Sequence, residues 1–172
     1  MTTMVRTWLG FAALGAGLVH LAVAAGAPLV ATLLLAAIGA LEVTWAVIAL
    51  AREHVPVPRL ALAGAVLAVA AWIVVLFLGA GAMSHMAGMS SGVAIALPAL
   101  PMLGAAALDL ACAASLAVVV RRGRPAVVRQ PGVWSYLGGV VAGAAVVAGI
   151  TSACLGATPV GALAMQGMDM GH

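Results

Sequence analysis

Residues 29–51 are LVATLLLAAIGALEVTWAVIALA, an uninterrupted apolar run that contains a single charged residue, Glu42. A helix needs about 20 apolar residues to cross the hydrocarbon core of a bilayer, and this run is long enough. Helix is the conformation required there, because a lone strand in hydrocarbon would leave its backbone hydrogen-bonding groups unpaired. The segment therefore predicts a transmembrane helix.

The rest of the chain has a similar composition. Of its 172 residues, 66% are hydrophobic and 6% are charged, whereas about a quarter of the residues in soluble globular domains are charged. Four further apolar runs occur, and the polar stretches between them are too short to form a soluble domain. We predict an all-α integral membrane bundle over residues 1–162 and a tail at 163–172, with spans at about 8–25, 29–51, 60–79, 92–120 and 133–155.

The cationic side chains predict the orientation of the bundle. Lys and Arg near the ends of spans stay on the cytoplasmic side, and five spans put all seven arginines on one side. This predicts a bundle with its N-terminus inside and its C-terminus outside. The cationic residues are all arginine, which points to a bacterium with a GC-rich genome and hence to a bacterial plasma membrane. The arginines are dispersed over loops, so nucleic acid is not an expected partner. They are Arg6, Arg52, Arg59, Arg121, Arg122, Arg124 and Arg129.

The N-terminal segment has an alternative interpretation. Arg6, the apolar run after it and the sequence AVA at residues 22–24 resemble a secretory signal peptide with its cleavage site. Because the run is long enough to span the bilayer, we expect it to be retained as the first helix.

Two short segments are rich in methionine and histidine. Residues 81–92 are GAMSHMAGMSSG, and the chain ends in MQGMDMGH at residues 165–172. Together they hold six of the nine methionines, and the predicted orientation puts both outside the cytoplasm. The alternative is that these methionines are flexible apolar filling at the level of the lipid headgroups.

The chemistry of these side chains points to copper. Thioether sulfur is a soft ligand that, together with imidazole, favours Cu(I), whereas carboxylates favour harder ions. The two segments resemble the methionine-rich copper-binding segments of periplasmic and extracellular copper-handling proteins, which implies Cu(I) as the bound ion. The candidate ligands are Met83, His85, Met86, Met89, Met165, Met168, Met170 and His172, with Cys154 near the outer end of the fifth span as an additional candidate.

Three ionisable side chains, His20, Glu42 and Asp109, lie within the predicted spans. Burying each of them in hydrocarbon costs about 2.5–3.5 kcal/mol, so we expect them to face the bundle interior and to pair with one another. A rise of about 1.5 Å per residue predicts that they lie at successively greater depths below the outer surface, with His20 shallowest and Glu42 deepest. Such a set can be a metal site, a proton relay or a hydrogen-bond network that fixes the register of the helices.

Two further features concern packing. Gly139 and Gly143 form a GxxxG step in the fifth span, a pattern that lets a second helix approach closely, within the bundle or in a partner subunit. Cys112 and Cys154 lie at different predicted depths, so we expect no disulfide between them.

The sequence contains none of the H-E-x-x-H, P-loop, C-x-x-C or G-x-S-x-G motifs, and we assign no catalytic residue. The stretches GLVHLAVAAG at 17–26 and GALEVTWAVIAL at 39–50 resemble the first hairpin of small actinobacterial membrane proteins of unassigned activity. That resemblance implies the fold of the first hairpin and a membrane context, and it implies no activity.

Three functions stay open. The first is copper handling, in which the bundle stores Cu(I), transports it or delivers it to a neighbouring cuproenzyme. The second is an accessory subunit of a membrane complex of the respiratory or copper-oxidase type. The third is a small proton-coupled transporter, which depends on His20, Glu42 and Asp109. The lipid bilayer is a partner in all three.

Overall fold

The chain forms five helices and, within the described residues, no strand. The computed structural model describes residues 3–27, 29–52, 57–85, 99–122, 132–159, 161 and 163–164, and the side chains of 74–85 and 122 lie outside that description. The prediction of an all-α bundle is confirmed. The helices are α1 (Thr3–Ala24), α2 (Leu29–Ala51), α3 (Pro58–His85), α4 (Ala99–Arg122) and α5 (Val133–Gly156).

Four of these helices, α1, α2, α4 and α5, are long and apolar enough to cross a membrane. The third, α3, is 28 residues long, and the apolar part of it whose side chains are described, Pro58–Ile73, is shorter than a span. Large aliphatic side chains on the outer faces are exposed, for example Leu33 and Leu41 on α2. Such faces fit a hydrocarbon environment, because apolar side chains are favourable in contact with lipid chains.

The helix bounds differ from the predicted spans at the end of α3. The third helix continues to His85, so the backbone of residues 81–85 is helical where we predict a loop. The sequence contains no proline between Pro58 and Pro98, so no proline stops the helix before His85. Hydrophobicity marks where a span leaves the membrane, and a helix can continue beyond that point. Within the described residues the fourth helix begins at Ala99, and residues 92–98 of the predicted fourth span lie outside that description.

The first helix is the centre of the bundle. It packs against α2, α4 and α5, while α3 packs against α4. In its apolar stretch 56% of the residues are buried, compared with 22%, 33% and 22% in α2, α4 and α5. Small residues of α1 such as Ala12 and Ala16 let three neighbours approach it at once.

Two clusters of buried side chains follow one another along α1. The first, which includes Leu9, Ala16 and Leu116, is apolar throughout. The second contains Val19 and Val23, which come directly before and shortly after His20. This second cluster also includes Trp72, Met102, Ala105 and Cys154.

The GxxxG step of α5 packs within the bundle. The side chains of Met4 and Trp8 on α1 cover Gly139 and Gly143, in that order. The indole Nε1–H of Trp8 donates to the carbonyl oxygen of Gly139 at 3.1 Å. The glycines thus receive side chains of α1, whereas Gly149 on the same helix has open space beside it.

Candidate functional site

The three ionisable residues of the predicted spans lie together inside the bundle. His20 on α1, Glu42 on α2 and Asp109 on α4 each offer one atom that could bind a metal ion, and these atoms lie within 4.8 Å of one another. The side chains of His20 and Asp109 are 1% and 3% exposed, whereas that of Glu42 is 16% exposed. Glu42 is therefore the member of the cluster that reaches the surface of the bundle.

The predicted spread of these residues over successive depths is wrong, because all three meet at one level. In a helix the Cα–Cβ bonds tilt toward the N-terminus. Since α1 and α2 form a hairpin and run in opposite directions, the side chains of His20 and Glu42 lean toward each other along the bundle axis. Counting residues from the helix ends measures the depth of the backbone and leaves out this convergence.

A glycine pair brings the two helices close enough for this contact. A Cβ atom at Gly39 would lie 2.7 Å from the carbonyl oxygen of Gly17, and a Cβ at Gly17 would lie 2.8 Å from that of Gly39. The backbones of α1 and α2 therefore touch directly at this point. Each glycine precedes its polar residue by three positions, Gly17 before His20 and Gly39 before Glu42. A Cβ at Gly39 would lie 3.2 Å from the Cβ of His20, and one at Gly17 would lie 3.1 Å from that of Glu42, so the backbone contact lies directly beside the side chains that it brings together.

The hydrogen bonds of the imidazole define its tautomer. Nδ1 of His20 lies 2.7 Å from Oε2 of Glu42, and Nε1 of Trp72 donates to Nε2 of His20 at 2.8 Å. An indole nitrogen is a donor only, so Nε2 is unprotonated in this arrangement. The ring hydrogen is consequently on Nδ1 and is donated to the Glu42 carboxylate.

The second carboxyl group is close to the same ring but is not bonded to it. Oδ2 of Asp109 lies 3.9 Å from Nε2 of His20, which is too long for a hydrogen bond. This oxygen is buried and has no hydrogen-bond partner among the described residues. A buried acceptor of this kind is costly, and it faces the one ring nitrogen that can take up a further proton.

A metal ion is one occupant that the residue types allow. An imidazole with two carboxylates suits borderline and hard divalent ions, and it does not suit Cu(I), which prefers soft ligands. Both nitrogens of His20 are engaged, Nδ1 with Glu42 and Nε2 with Trp72. A metal on Nε2 would have to displace the Trp72 N–H, and so would a proton, because the hydrogen bond from Trp72 uses the free lone pair of that nitrogen.

The methionine-rich segments lie almost entirely outside the described residues. The backbones of Met83 and His85 belong to the last turns of α3. The remaining candidate ligands, Met86, Met89, Met165, Met168, Met170 and His172, are outside the described ranges.

Both cysteines are free and buried. The thiol of Cys154 lies 3.8 Å from the carbonyl oxygen of Leu100, and that of Cys112 lies 3.8 Å from the carbonyl oxygen of Leu9. Cys154 is 3% exposed and packs among apolar side chains that include Met102. Its surroundings are those of a buried apolar residue.

The sequence interpretation omits two parts of the site, the glycine pair and Trp72. Signals for both are present. The two first helices repeat the pattern G-x-x-[HE], and Trp72 lies within the aliphatic run ALAGAVLAVAAWIVV, where an indole N–H needs an acceptor. Its ring is nearly parallel to that of His20, with an angle of 16° and centroids 5.3 Å apart.

Comparison with known protein families finds no matching family, and comparisons with curated proteins and with solved structures find no match.

Proposed function

We propose that the His20 cluster binds and releases a proton inside the bundle, and that the chain is a small proton-coupled transport protein of a bacterial plasma membrane. The observation that supports this proposal is the buried imidazole of His20. It is bonded to one carboxylate at 2.7 Å and lies 3.9 Å from a second one. Ionisable groups inside membrane spans are rare, because they are costly, and they mark ion and proton pathways.

The three residues have different roles in this scheme. Glu42 accepts the Nδ1–H of His20, which fixes the tautomer and makes Nε2 the basic atom. Asp109 is close enough to stabilise the imidazolium that forms when Nε2 takes up a proton. Glu42 is also partly exposed, so the cluster reaches the surface of the bundle at this side chain.

The electrostatics of the cluster support reversible exchange. Opposite charges interact more strongly in a low-dielectric interior than in water, so an imidazolium between two carboxyl groups is stabilised where an isolated one would not be. Loss of the proton returns His20 to the neutral state, in which Trp72 satisfies Nε2. Both states of the ring thus have partners within the bundle.

The experiment is proton flux into proteoliposomes that contain the full chain and an internal pH-sensitive dye, driven by an imposed membrane potential. We expect the wild-type protein to admit protons and the His20→Gln variant to lose this flux, since an amide side chain can form hydrogen bonds but does not titrate. The matched control is Thr151→Val, which changes a buried polar residue of α5 that lies against Gly15 of α1. Equal flux in the wild type and in a folded His20→Gln variant would contradict the proposal.

We propose copper handling as a second candidate function, and its support is the sequence of the two methionine-rich segments. Six methionines and two histidines in these segments form a soft, largely uncharged ligand set. In this account the segments lie on the extracytoplasmic side, bind Cu(I) and deliver it to a membrane cuproenzyme or to the bundle.

The test is a Cu(I) competition titration on the detergent-purified full chain. Replacing Met83, Met86 and Met89 together by leucine keeps the apolar bulk and removes the thioethers, and we expect weaker Cu(I) binding. A chain without residues 163–172 should likewise lose affinity. The control is Met102→Leu, because Met102 is buried in the core of the bundle. Unchanged affinity in both altered chains would exclude these segments as the copper site.

A further inference from the structure

Among the described hydrogen bonds, the one from Trp72 is the only bond between α3 and His20. The residue is buried, and its Nε1–H donates to Nε2 of the imidazole at 2.8 Å. Together with the hydrogen bond between His20 and Glu42, this bond forms a short chain that runs from Trp72 through the His20 ring to the Glu42 carboxylate.

The Trp72 bond exists in one protonation state only. An indole nitrogen donates and cannot accept, and a histidine nitrogen that carries a hydrogen is likewise a donor. When Nε2 takes up a proton, two N–H groups face each other and the bond must break. The new N–H of His20 then needs an acceptor, and the buried Oδ2 of Asp109, which lacks a hydrogen-bond partner among the described residues, lies 3.9 Å away.

We propose that Nε2 of His20 is a switch between two helices, accepting a hydrogen bond from Trp72 on α3 when it is neutral and donating one to Asp109 on α4 when it is protonated. This inference rests on the proposed proton exchange at His20 and adds a residue and a motion to it. Trp72 is a positioning residue, because it acts on the proton through the imidazole.

The other titratable groups around His20 leave this exchange to Asp109. Glu42 on α2 is engaged at Nδ1 in both states. Cys112 on α4 and Cys154 on α5 direct their thiols to backbone carbonyls, those of Leu9 and Leu100. From α3, the described side chain that meets the ring is the neutral indole of Trp72. Asp109 is thus the acceptor that remains for a protonated Nε2.

The consequence of the exchange is a change in the contact between α1 and α3. In the neutral state the Trp72 N–H holds α3 against His20, and in the protonated state that contact is released while α4 gains one. Since 3.9 Å exceeds the length of a hydrogen bond, the ring of His20 or the carboxyl of Asp109 has to move for the second bond to form. Proton uptake would therefore weaken the contact of α1 with α3 and strengthen its contact with α4.

The experiment is a pH titration of the full chain in detergent, labelled with ¹⁵N at tryptophan and histidine and followed by ¹H–¹⁵N spectra between about pH 5 and 8, where histidine titrates. We expect the indole N–H signal of Trp72 to move with the same midpoint as the ring nitrogens of His20. The control within the same sample is Trp8, whose N–H donates to the carbonyl of Gly139 and should not move with this midpoint.

The Trp72→Phe variant tests the direction in which the His20 midpoint should move. The Trp72 bond is available only to unprotonated Nε2, so Trp72→Phe should move the His20 midpoint to higher pH. One net hydrogen bond corresponds to about a fivefold gain in proton affinity. The Trp8→Phe variant should leave the midpoint where it is.

The outcomes separate the inference from the proposed function. If His20 titrates while the Trp72 signal stays fixed, or if Trp72→Phe leaves the midpoint unchanged, the switch is wrong and the proton site stands. If His20 does not titrate in this range, proton exchange at His20 is excluded together with the switch. The wild-type spectra carry this distinction even if the Trp72 variant does not fold.

Discussion

The interfaces that α1 makes with α2 and with α5 both contain a pair of glycines, and they use these glycines differently. At α1–α2, Gly17 and Gly39 meet backbone to backbone, and a methyl group on either would meet a carbonyl oxygen of the other. At α1–α5, Gly139 and Gly143 are covered by the side chains of Met4 and Trp8. The first interface is fixed by the backbone, whereas the second depends on side chains that have other rotamers.

The two interfaces also differ in polarity and in filling. The glycine contact of α1–α2 lies beside the side chains of His20 and Glu42, so the alignment of two backbones sets the position of the hydrogen bond between them. Between α1 and α5 a largely apolar groove of about 320 Å³ is lined by Leu14, Val147 and Thr151, among other residues. Glycines at two helix interfaces can therefore tolerate substitution very differently, and the neighbouring atoms decide how well each substitution is tolerated.

The largest expected effect comes from Gly39→Ala. The added methyl would lie 2.7 Å from the Gly17 carbonyl oxygen and 3.2 Å from the Cβ of His20, so the helices would have to separate. We expect a loss of about 2–3 kcal/mol in the free energy of unfolding, at the upper end of overpacking effects. The measurement is thermal unfolding in detergent. The control is Gly149→Ala, where space is open; similar losses in the two variants would mean that the backbone contact is not decisive.

A smaller effect is expected for Gly143→Ala. The new methyl would meet the indole ring of Trp8, and moving that ring would strain its hydrogen bond to the Gly139 carbonyl. Because a side chain can adjust, we expect a loss of about 1 kcal/mol, the low end of overpacking. Unfolding should be measured together with the indole N–H signal of Trp8. A loss as large as that of Gly39→Ala would remove the distinction between the two interfaces.

The smallest effect is expected for Thr151→Val, and its sign is the informative part. The Thr151 hydroxyl is buried and has no hydrogen-bond partner among the described residues. Replacing an unsatisfied hydroxyl by a methyl is neutral or stabilising, and we expect a change of about 0.5 kcal/mol at most in that direction. The control is Thr7→Val, because the Thr7 hydroxyl donates to the Thr3 carbonyl at 3.0 Å. Clear destabilisation by Thr151→Val would show that this hydroxyl has a partner.

The sequence predicts the helices better than it predicts how they pack against one another. Long apolar runs are sufficient to locate five helices, because hydrocarbon leaves the backbone few alternatives. The cost of burying charge in hydrocarbon is sufficient to select His20, Glu42 and Asp109 as residues that face the interior. The shared level of these residues depends on side-chain direction and on how closely α1 and α2 approach, and neither follows from counting residues along a span.

Trp72 illustrates a different difficulty. Its donor has to find an acceptor in a dry environment, but a sequence gives no indication of which helix supplies that acceptor. The packing of α3 against α4 brings it to His20. The copper ligands proposed in the two methionine-rich segments are a prediction from ligand chemistry that these contacts do not test.

The hairpin made by α1 and α2 has a consequence for the biogenesis of this protein. His20 and Glu42 are 22 residues apart, so the bonding partner of the histidine leaves the ribosome directly after it, in the next helix. Asp109 and Trp72 arrive later in the chain. The first two helices can therefore enter the bilayer as one unit with the imidazole already bonded to a carboxylate, and the second carboxyl group has to be inserted before the cluster is complete.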